Sequence, residues 1–448
     1  MNSLLLTFYG DDFTGSTDAL EALSRAGVRT LLWADAPTSE QLARFPDVQA
    51  VGVAGISRSL TPDEMRRELE PRFRVLSSLK APICHYKTCS TFDSSPQVGS
   101  IGCALDLGQE IFQSPFVPIV VGVPVLGRFV AFGNLFARAG AGGGTIYRLD
   151  RHPTMSRHPI TPMDESDLRL HLSHQTEKTI ALFDVLQLSG DKLAFSDLLN
   201  QQPDAVLFDT IDQHHLETIG ELIWDESQKG NSLFAVGSSG VEYALTAHWK
   251  AQNLLAAPPV FEAVALKQII VVSGSCSPIT AAQISHAETN GFQTIALDVL
   301  ALLDDETKAD EIQRCVNLVR EALKNGQSPL LHTCRGPEDE RLEPVRALLK
   351  TKNASSSQIL GAALGAVLKL VWQETDLRRA IVTGGDTSSY TARELGIEAL
   401  ELASPAFAGA PICRILAADS ALDGREIVFK GGQVGPEDFF SHMRDATF

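Results

Sequence analysis

Short apolar runs alternate with segments of helical period along most of this chain. These runs include LLLTFY, VQAVGVAG and APICHYK in the first half, and QIIVVSG, SPLLHT and RRAIVTGG in the second half. Strands that alternate with helices favour a parallel sheet that is covered on both faces. The pattern therefore predicts an α/β chain whose sheets are mainly parallel and flanked by helices.

The length of the chain favours more than one hydrophobic core. At 448 residues, two cores are favoured over one. The proline pair Pro258 and Pro259 lies between a helical pattern and a fresh strand pattern, which is typical of a linker. We therefore predict an N-terminal domain over residues 1–253, a linker over 254–265 and a C-terminal domain over 266–448.

The formal net charge of −17 restricts the partners of the chain. Each contact to a phosphate needs a basic side chain, so an excess of acidic residues disfavours nucleic acid and anionic membranes. A small anionic ligand is still compatible with this charge, because a few local arginines and backbone amides can hold it.

Two further features favour a cytoplasmic protein. No apolar stretch approaches the roughly 20 residues that cross a bilayer, and the start MNSLLLTFYGDD has neither a basic flank nor a cleavage site. The seven cysteines are scattered and form no C-x-x-C pair, which is typical of reduced thiols rather than of a disulfide frame or a zinc site.

Three glycine-rich turns follow strand patterns in the second half, in VVSGS, IVTGGDT and VFKGGQVG. Open parallel sheets bind ligands at the carboxyl ends of their strands, where glycine lets the backbone approach and the next helix presents amides. One such turn alone is usually a tight connection. Three together can surround the phosphates and ribose of a nucleotide, with the hydroxyls of Ser275 and Thr387 assisting. The motif G-x-x-x-x-G-K-[ST] does not occur, which excludes a P-loop NTPase.

Two adjacent carboxylates, Asp11 and Asp12, follow the first strand pattern and precede a helix that Thr14, Gly15 and Ser16 open. In the simpler interpretation one aspartate caps the helix and the other is solvated. In the functional interpretation one carboxylate accepts a proton from a substrate hydroxyl, and the other binds neighbouring hydroxyls or a Mg²⁺-bound water.

Cationic side chains end two other strand patterns of the same half. Arg58 follows one strand, and Lys87 ends another before a helix that is predicted to start near Pro96. Hydroxyl and carboxyl groups follow Lys87 at Ser90, Thr91, Asp93 and Ser94. A single such cation is usually a solvated surface charge. Their shared position at strand ends favours convergence on an anion, such as the carboxylate of a substrate.

The stretch over residues 128–168 is rich in Gly, Arg, His and Pro, and its apolar runs are short. This composition predicts a loop or hairpin excursion from the sheet, and long excursions are often functional. His152 and His158 each precede a proline and have no helical register. They are therefore expected to pack in the loop or to contact substrate rather than to bind a metal.

Taken in order, six motifs resemble those of the four-carbon acid sugar kinase family. They are GDDFTGSTDA, SRSL, YKTCSTFDSSPQVGSIG, SGSCSPIT, TGGDTSSY and KGGQVG. Each motif is weak by itself, but the set is specific and spans nearly the whole chain.

The resemblance implies ATP-dependent phosphorylation of a small sugar acid, with the active site in the cleft between a substrate domain and a nucleotide domain. It implies substrate binding, and catalysis by the aspartates, at Asp11, Asp12, Arg58, Lys87, Thr88, Cys89 and Ser90. It implies ATP binding at Ser275, Gly384, Gly385, Asp386, Thr387 and Gly432. Mg²⁺ is expected to arrive with ATP, and no metal site is implied in the protein alone.

Departures from the family pattern concern the substrate. Cys89 stands where threonate and erythronate kinases usually carry Asp, as in the branch that acts on 3-oxo acids, and SPQVGSIG departs from the usual Arg-Gly-Asn-Ile-Gly. GRFVAFGNLFA together with DRHPTMSRHPITPM resembles the members that phosphorylate 3-oxo-isoapionate. A 3-oxo acid, 3-oxo-isoapionate or 3-oxo-tetronate, is the predicted substrate, with a threonate or erythronate kinase as the alternative.

The resulting hypothesis places the substrate carboxylate against Arg58 and Lys87 and the reacting hydroxyl against Asp12, which takes its proton. Which aspartate is the base stays open. A dinucleotide-dependent oxidoreductase is disfavoured, because no G-x-G-x-x-G follows a strand. A sugar-acid sensor without activity is disfavoured by the intact aspartate pair and glycine turns. The partners expected are a sugar acid and ATP, and a homodimer is compatible with the sequence.

Overall fold

The chain divides into two compact units. In this computed structural model the described residues are 4–139, 144–158, 160–190, 193–230, 232–352 and 356–448, without the side chains of residues 351, 352 and 386. The first unit takes in the residues up to Leu31 together with Asp35–Pro259, and the second takes in Leu32–Ala34 together with Val260–Phe448.

The strands of the first half are short, and those of its main sheet are largely buried. They are β1 (Leu6–Gly10), β2 (Thr30–Trp33), β3 (Ala50–Ala54), β4 (Ile83–Lys87), β5 (Val117–Val120), β6 (Arg128–Ala131), β7 (Asn134–Arg138), β8 (Ile146–Arg148), β9 (Ile180–Phe183), β10 (Ala205–Phe208) and β11 (Leu233–Gly237). The main sheet of the first unit has the order β3-β1-β4-β11-β5-β10-β9, and every pair in it is parallel.

Helices follow these strands as the alternation predicts. They are α1 (Phe13–Arg25), α2 (Ser39–Ala43), α3 (Pro62–Ser78), α4 (Ile101–Phe112), α5 (Leu168–Ser173), α6 (Val185–Leu188), α7 (Leu193–Leu199), α8 (Gln213–Ser227) and α9 (Gly240–Ala251). Helix α3 begins with Pro62 after a Thr61 capping box, which is a common start of a helix.

The excursion leaves the main sheet as predicted. Strands β6, β7 and β8 form a separate antiparallel sheet, with Phe129 opposite Phe136 in the first hairpin. The hairpin prediction is confirmed. Asp209 holds the turn Ala131–Asn134 in place, because its carboxylate accepts hydrogen bonds from the backbone N–H groups of Phe132 and Gly133 at 2.6 and 2.9 Å.

The second unit repeats the architecture with a different strand order. Its strands are β12 (Ile270–Ser273), β13 (Phe292–Ala296), β14 (Ser328–His332), β15 (Arg379–Thr383), β16 (Ala399–Phe407), β17 (Ala410–Leu416) and β18 (Glu426–Lys430). The order β13-β14-β12-β15-β18 is parallel, and β17 and β16 extend it in antiparallel fashion. Leu32 of β2 pairs with Leu400 at the far edge of this unit.

Helices cover this second sheet as well. They are α10 (Pro278–Glu288), α11 (Val299–Leu302), α12 (Lys308–Lys324), α13 (Leu342–Lys352), α14 (Ser356–Glu374), α15 (Gly385–Leu395) and α16 (Phe439–Asp445). Central strand residues such as Val271, Ile381 and Val428 are fully buried in one apolar cluster. The predicted α/β class with mainly parallel sheets flanked by helices is confirmed.

Candidate functional site

Three neighbouring strand ends of the first unit bring the predicted charged residues together. In the register of the sheet, Gly10 of β1 pairs with Ala54 of β3 and with Lys87 of β4. Immediately beyond this edge, Asp11 N–H donates to the Lys87 carbonyl at 2.9 Å, and Arg58 N–H donates to the Asp11 carbonyl at 3.0 Å. The backbone itself thus fixes the side chains of Asp11, Arg58 and Lys87 at one edge.

Asp11 is buried and paired with Arg58. Arg58 donates from Nε to Asp11 Oδ2 at 3.0 Å and from Nη2 to Asp11 Oδ1 at 2.8 Å. Burial raises the pKa of Asp11; the Arg58 charge opposes the rise, and the neighbouring Asp12 charge adds to it. The simpler interpretation, in which one aspartate is solvated, is wrong because Asp11 is only 2% exposed.

Asp12 caps helix α1, as the simpler interpretation expected. Its Oδ1 accepts from Gly15 N–H at 2.5 Å, and its Oδ2 accepts from Thr14 Oγ1 at 2.9 Å. Arg58 Nη1 also donates to Asp12 Oδ2 at 2.5 Å. One guanidinium therefore pairs with both carboxylates, and Asp12 takes part in both the helix cap and the ion pair.

Lys87 faces the same space from the end of β4. Its ammonium lies 3.3 Å from Asp18 Oδ2 and donates to the Thr88 carbonyl at 3.0 Å. Burial lowers the pKa of Lys87, but the nearby carboxylates, Asp18 foremost, outweigh it and the net pKa is raised. Lys87 therefore remains protonated although it is buried.

The backbone of Gly15 marks the point where these charges converge. A methyl group at Gly15 would lie 2.7 Å from Asp12 Oδ1, 3.5 Å from Lys87 Nζ and 3.6 Å from Arg58 Nη2. A carboxylate, an ammonium and a guanidinium thus surround the first turn of α1 at Gly15. This arrangement suits a small polyhydroxy anion, which needs donors, acceptors and cations within a few ångströms.

The segment after Lys87, residues 88–90, lies along the same carboxyl edge of the sheet. Thr88 is buried and donates from N and Oγ1 to the Gly237 carbonyl at 2.6 and 3.0 Å. Cys89 and Ser90 are half-buried, and burial raises the pKa of the Cys89 thiol. The next helix starts at Ile101 rather than near Pro96. Gly99 has a positive φ of 61°, so the chain turns once more before Ser100 caps α4.

The predicted nucleotide turns meet at one edge of the second unit. Ser273 of β12 pairs with Thr383 of β15, which pairs with Lys430 of β18. The turns after these strands are tied together, because Gly274 N–H donates to the Thr383 carbonyl and Gly384 N–H to the Lys430 carbonyl.

Glycine is required where the turns touch. A methyl group at Gly432 would lie 2.6 Å from Ser275 Oγ, and one at Gly274 would lie 2.4 Å from Thr387 Oγ1. Gly384 has φ +121°, and Gly385 then begins helix α15 with open space where its methyl group would be. The side chain of Asp386 lies outside the described part of the chain.

Ser275 is held at the centre of these turns. Thr280 Oγ1 lies 3.0 Å from Ser275 Oγ and 3.0 Å from the Gly432 carbonyl. Ser275 and Thr387 are both buried and both border the glycine backbone. The structure therefore brings together the ATP residues implied by resemblance, except for the Asp386 side chain.

A cavity of mixed lining opens beside these turns. Gly274, Thr387 and Cys276 line it next to the turns, and its other polar lining residues are Thr333, Arg341, Arg346, Ser356 and Ser357. Its apolar side chains are Val299, Leu342, Val345, Leu349 and Leu360. Helix α13, which supplies three of these side chains, was missed from the sequence, although Leu342, Val345 and Leu349 follow the i, i+3, i+7 spacing of a helix face.

Comparison with protein families matches both units. Residues 6–245 match a sugar-binding N-terminal domain, and residues 270–440 match a nucleotide-binding C-terminal domain.

This chain belongs to the four-carbon acid sugar kinase family.

Relatives with assigned activities cover nearly the whole chain. A 3-oxo-isoapionate kinase of Paraburkholderia graminis is 46% identical over 99% of this chain and 94% of its own length. A 3-oxo-tetronate kinase of Methylobacterium radiotolerans is 29% identical over 99% of both chains, and one of Pectobacterium atrosepticum is 28% identical over 97% of both. Solved structures from Salmonella typhimurium LT2 and Haemophilus influenzae share the fold. Their TM-scores are 0.76 and 0.70, their identities 24% and 22%, and they cover 98% of this chain and 98% and 99% of their own.

In this four-carbon acid sugar kinase the excursion that carries β6–β8 contains a partly buried arginine, Arg128, which the sequence analysis did not single out. Arg128 begins β6, and its Nη1 donates to the carbonyls of Leu126 and Gly127. Its Nε is buried and has no hydrogen-bond partner within the described residues. Burial lowers the pKa of Arg128, while Cys89 and Asp93 lie close enough to oppose that shift.

The two histidines of the excursion, His152 and His158, pack within the loop, which is one of the two roles expected from the sequence. His152 Nδ1 accepts from the N–H groups of Thr154 and Met155 at 3.2 and 3.3 Å, and His158 Nδ1 accepts from Thr161 N–H at 3.1 Å. Within the described ranges no group of three or more His, Cys, Asp or Glu side chains could hold a metal, and no helix is long and apolar enough to span a membrane.

Proposed function

We propose that this chain transfers the γ-phosphoryl group of ATP to a hydroxyl of a 3-oxo sugar acid, with 3-oxo-isoapionate as the first candidate and 3-oxo-tetronate as the second. The observation that carries the proposal is the convergence of Asp12, Arg58 and Lys87 over Gly15. The 46% identity to a 3-oxo-isoapionate kinase supports the choice of substrate. Phosphoryl transfer of this kind depends on positioning and charge stabilisation.

The proton acceptor in this proposal is Asp11 rather than Asp12. Asp12 accepts three hydrogen bonds, from Gly15, Thr14 and Arg58, whereas Asp11 accepts two, both from Arg58, and so keeps more acceptor capacity for a substrate hydroxyl. Burial raises the pKa of Asp11 although the Arg58 charge opposes the rise. A base with a raised pKa takes a hydroxyl proton more readily at neutral pH. Asp12 then holds Arg58 and the start of α1 in place.

The substrate carboxylate is assigned to Lys87 and Arg128. The hypothesis from the sequence assigned the carboxylate to Arg58 and Lys87, but Arg58 already donates three hydrogen bonds to the two aspartates. Arg128 supplies a cation on the side of Cys89, and its buried Nε needs an acceptor. A buried donor without a partner carries a desolvation cost that a bound carboxylate would remove.

ATP is assigned to the glycine turns of the second unit. The amides beside Gly384, Gly385 and Gly432 suit the phosphates, and the apolar side chains of the neighbouring cavity suit adenine. Mg²⁺, carried in with ATP, would neutralise part of the triphosphate charge.

A substrate panel tests the proposal. ADP release is measured with 3-oxo-isoapionate, 3-oxo-tetronate, threonate and erythronate, and the phosphorylated product is identified by mass spectrometry. The highest kcat/KM is expected with 3-oxo-isoapionate. A preference for threonate or erythronate would overturn the assignment of a 3-oxo substrate. Binding of a sugar acid without any ADP release would overturn the kinase proposal in favour of a sensor.

A further inference from the structure

Two cysteines that are 58 positions apart in sequence meet beside the nucleotide turns. Cys276 follows β12 and Cys334 follows β14, two strands that pair in parallel with Ser273 opposite His332. Their Sγ atoms lie 2.9 Å apart. The register of the sheet therefore places two thiols side by side just beyond its carboxyl edge.

The two thiols differ in access. Cys276 is exposed and lines the cavity beside the turns, whereas Cys334 is fully buried. Cys334 Sγ also lies 3.5 Å from the Ser275 carbonyl. A small oxidant can thus reach one sulfur directly, and the second sulfur lies behind it in contact with the same turn.

The pair has the electrostatic character of a reactive dithiol. The hydrogen bond between the two sulfurs lowers the pKa of Cys334 to about 7 and, together with burial, raises the pKa of Cys276, so the two sulfurs share one proton once the first is lost. Thiolate is the nucleophilic form of cysteine, and a thiolate beside a second thiol is the arrangement that resolves a sulfenic acid. Burial alone would have raised the pKa of Cys334, so the contact between the sulfurs is decisive.

We propose that Cys276 and Cys334 form a reversible disulfide when the chain meets a hydroperoxide, and that this bond weakens nucleotide binding at the Gly274–Ser275 turn. The proton shared by the two sulfurs moves to Cys334, and the resulting Cys276 thiolate attacks a peroxide oxygen, which gives a sulfenic acid and one hydroxide. The Cys334 thiolate then attacks Cys276 Sγ, and the sulfenic oxygen leaves as the second hydroxide. With the two thiol protons, both hydroxides become water, so two thiols and one hydrogen peroxide give one disulfide and two waters.

The bond has a structural consequence for the turn. A disulfide needs its sulfur atoms about 2.05 Å apart, so the pair must close by roughly 0.9 Å from its 2.9 Å separation. Cys276 is the residue after Ser275, and Cys334 Sγ touches the Ser275 carbonyl. Closure therefore shifts the turn where Gly274 meets Thr387 Oγ1. The effect on ATP rests on the proposed function, whereas formation of the bond does not.

The test treats the reduced full-length protein with stoichiometric hydrogen peroxide and maps its peptides without reduction by mass spectrometry. A peptide pair joined through Cys276 and Cys334 is expected, and dithiothreitol should remove it. ATP affinity, measured by calorimetry before and after oxidation, should fall by at least 10-fold and recover on reduction. Saturating ATP should also slow formation of the bond.

Variants separate the possible results. In Cys334→Ser and Cys276→Ser the joined peptides cannot form, and ATP affinity should no longer respond to peroxide; each variant is compared with its own reduced form. Cys103→Ser, whose thiol is remote from this pair in sequence and bonds to Pro62, should respond like the parent. Absence of the joined peptides in the parent protein overturns the disulfide. Joined peptides with unchanged ATP affinity overturn the regulation and leave the kinase proposal standing.

Discussion

Arg58 holds Asp11 in a two-point ion pair, with Nε 3.0 Å from Oδ2 and Nη2 2.8 Å from Oδ1. The same guanidinium reaches Asp12 through Nη1. Two adjacent carboxylates on one turn repel each other, and a single planar cation between them makes the pair tenable in a buried site. Arg58, which the sequence analysis assigned to the substrate carboxylate, thus also binds both aspartates.

Replacement of each aspartate by asparagine in turn distinguishes the proposed base, Asp11, from the helix cap, Asp12. Asparagine caps helices as well as aspartate does, so Asp12→Asn should keep α1 intact while Arg58 loses one of its two negatively charged partners. Asp11→Asn should lower kcat by 100-fold or more, because it removes the proposed proton acceptor, and Asp12→Asn should lower it less. Steady-state kinetics with 3-oxo-isoapionate measures both, and calorimetry should show ATP binding retained. Near-normal turnover in Asp11→Asn would contradict its assigned role.

Gly15→Ala should impair substrate binding and strain the cap of helix α1. The new methyl group would fall between Asp12, Lys87 and Arg58, in the space assigned to the sugar acid. The same methyl group would lie 2.7 Å from Asp12 Oδ1, so the carboxyl group that caps α1 would have to shift. We expect KM for the sugar acid to rise at least 10-fold and the thermal unfolding midpoint to fall. A fall in that midpoint together with an unchanged KM would show that Gly15 has only a packing role.

Arg128→Gln should raise KM for the sugar acid by about 10- to 100-fold, since a charge-assisted hydrogen bond is worth roughly 1.5–3 kcal/mol. KM for ATP should not change. Arg128→Lys keeps the charge and should be affected less. The matched control is Arg148→Gln on the same excursion, whose guanidinium is paired with Asp150 near the surface. Equal effects in the two glutamine variants would argue against a specific carboxylate contact.

The features that could be predicted from the sequence are those that depend on local residue pattern. The strand ends that carry Asp11, Arg58 and Lys87 were predictable, because parallel strands place their carboxyl ends at one edge. The meeting of Cys276 and Cys334 was not predictable, since it depends on the pairing of strands 58 residues apart. The same holds for the sharing of Arg58 between two aspartates, because spacing alone does not show where a guanidinium points.

Two adjacent glycines offer a matched test of the nucleotide turn. A methyl group at Gly432 would lie 2.6 Å from Ser275 Oγ, whereas one at Gly431 would make an ordinary 3.4 Å contact with Val434. Gly432→Ala should therefore displace Ser275 and raise KM for ATP at least 10-fold, with little effect on KM for the sugar acid. Gly431→Ala should leave both constants within about 2-fold. If the two variants behave alike, the assignment of the Gly432 turn to ATP fails.

Lys430 should make the stability of the protein depend on pH. Its ammonium is fully buried at the end of β18, and burial lowers its pKa to about 7 from an ordinary value near 10.5. Between these two pH values the unfolded chain binds the proton and the folded chain does not, so the free energy of unfolding rises with pH across that window. The slope contributed by one such group reaches about 1.4 kcal/mol per pH unit at most. Lys430→Met, which removes the ionisable group and keeps the length of the side chain, should flatten the profile between pH 7 and 9. Urea unfolding of both proteins at several pH values measures the difference, and parallel profiles would show that Lys430 titrates as an ordinary lysine.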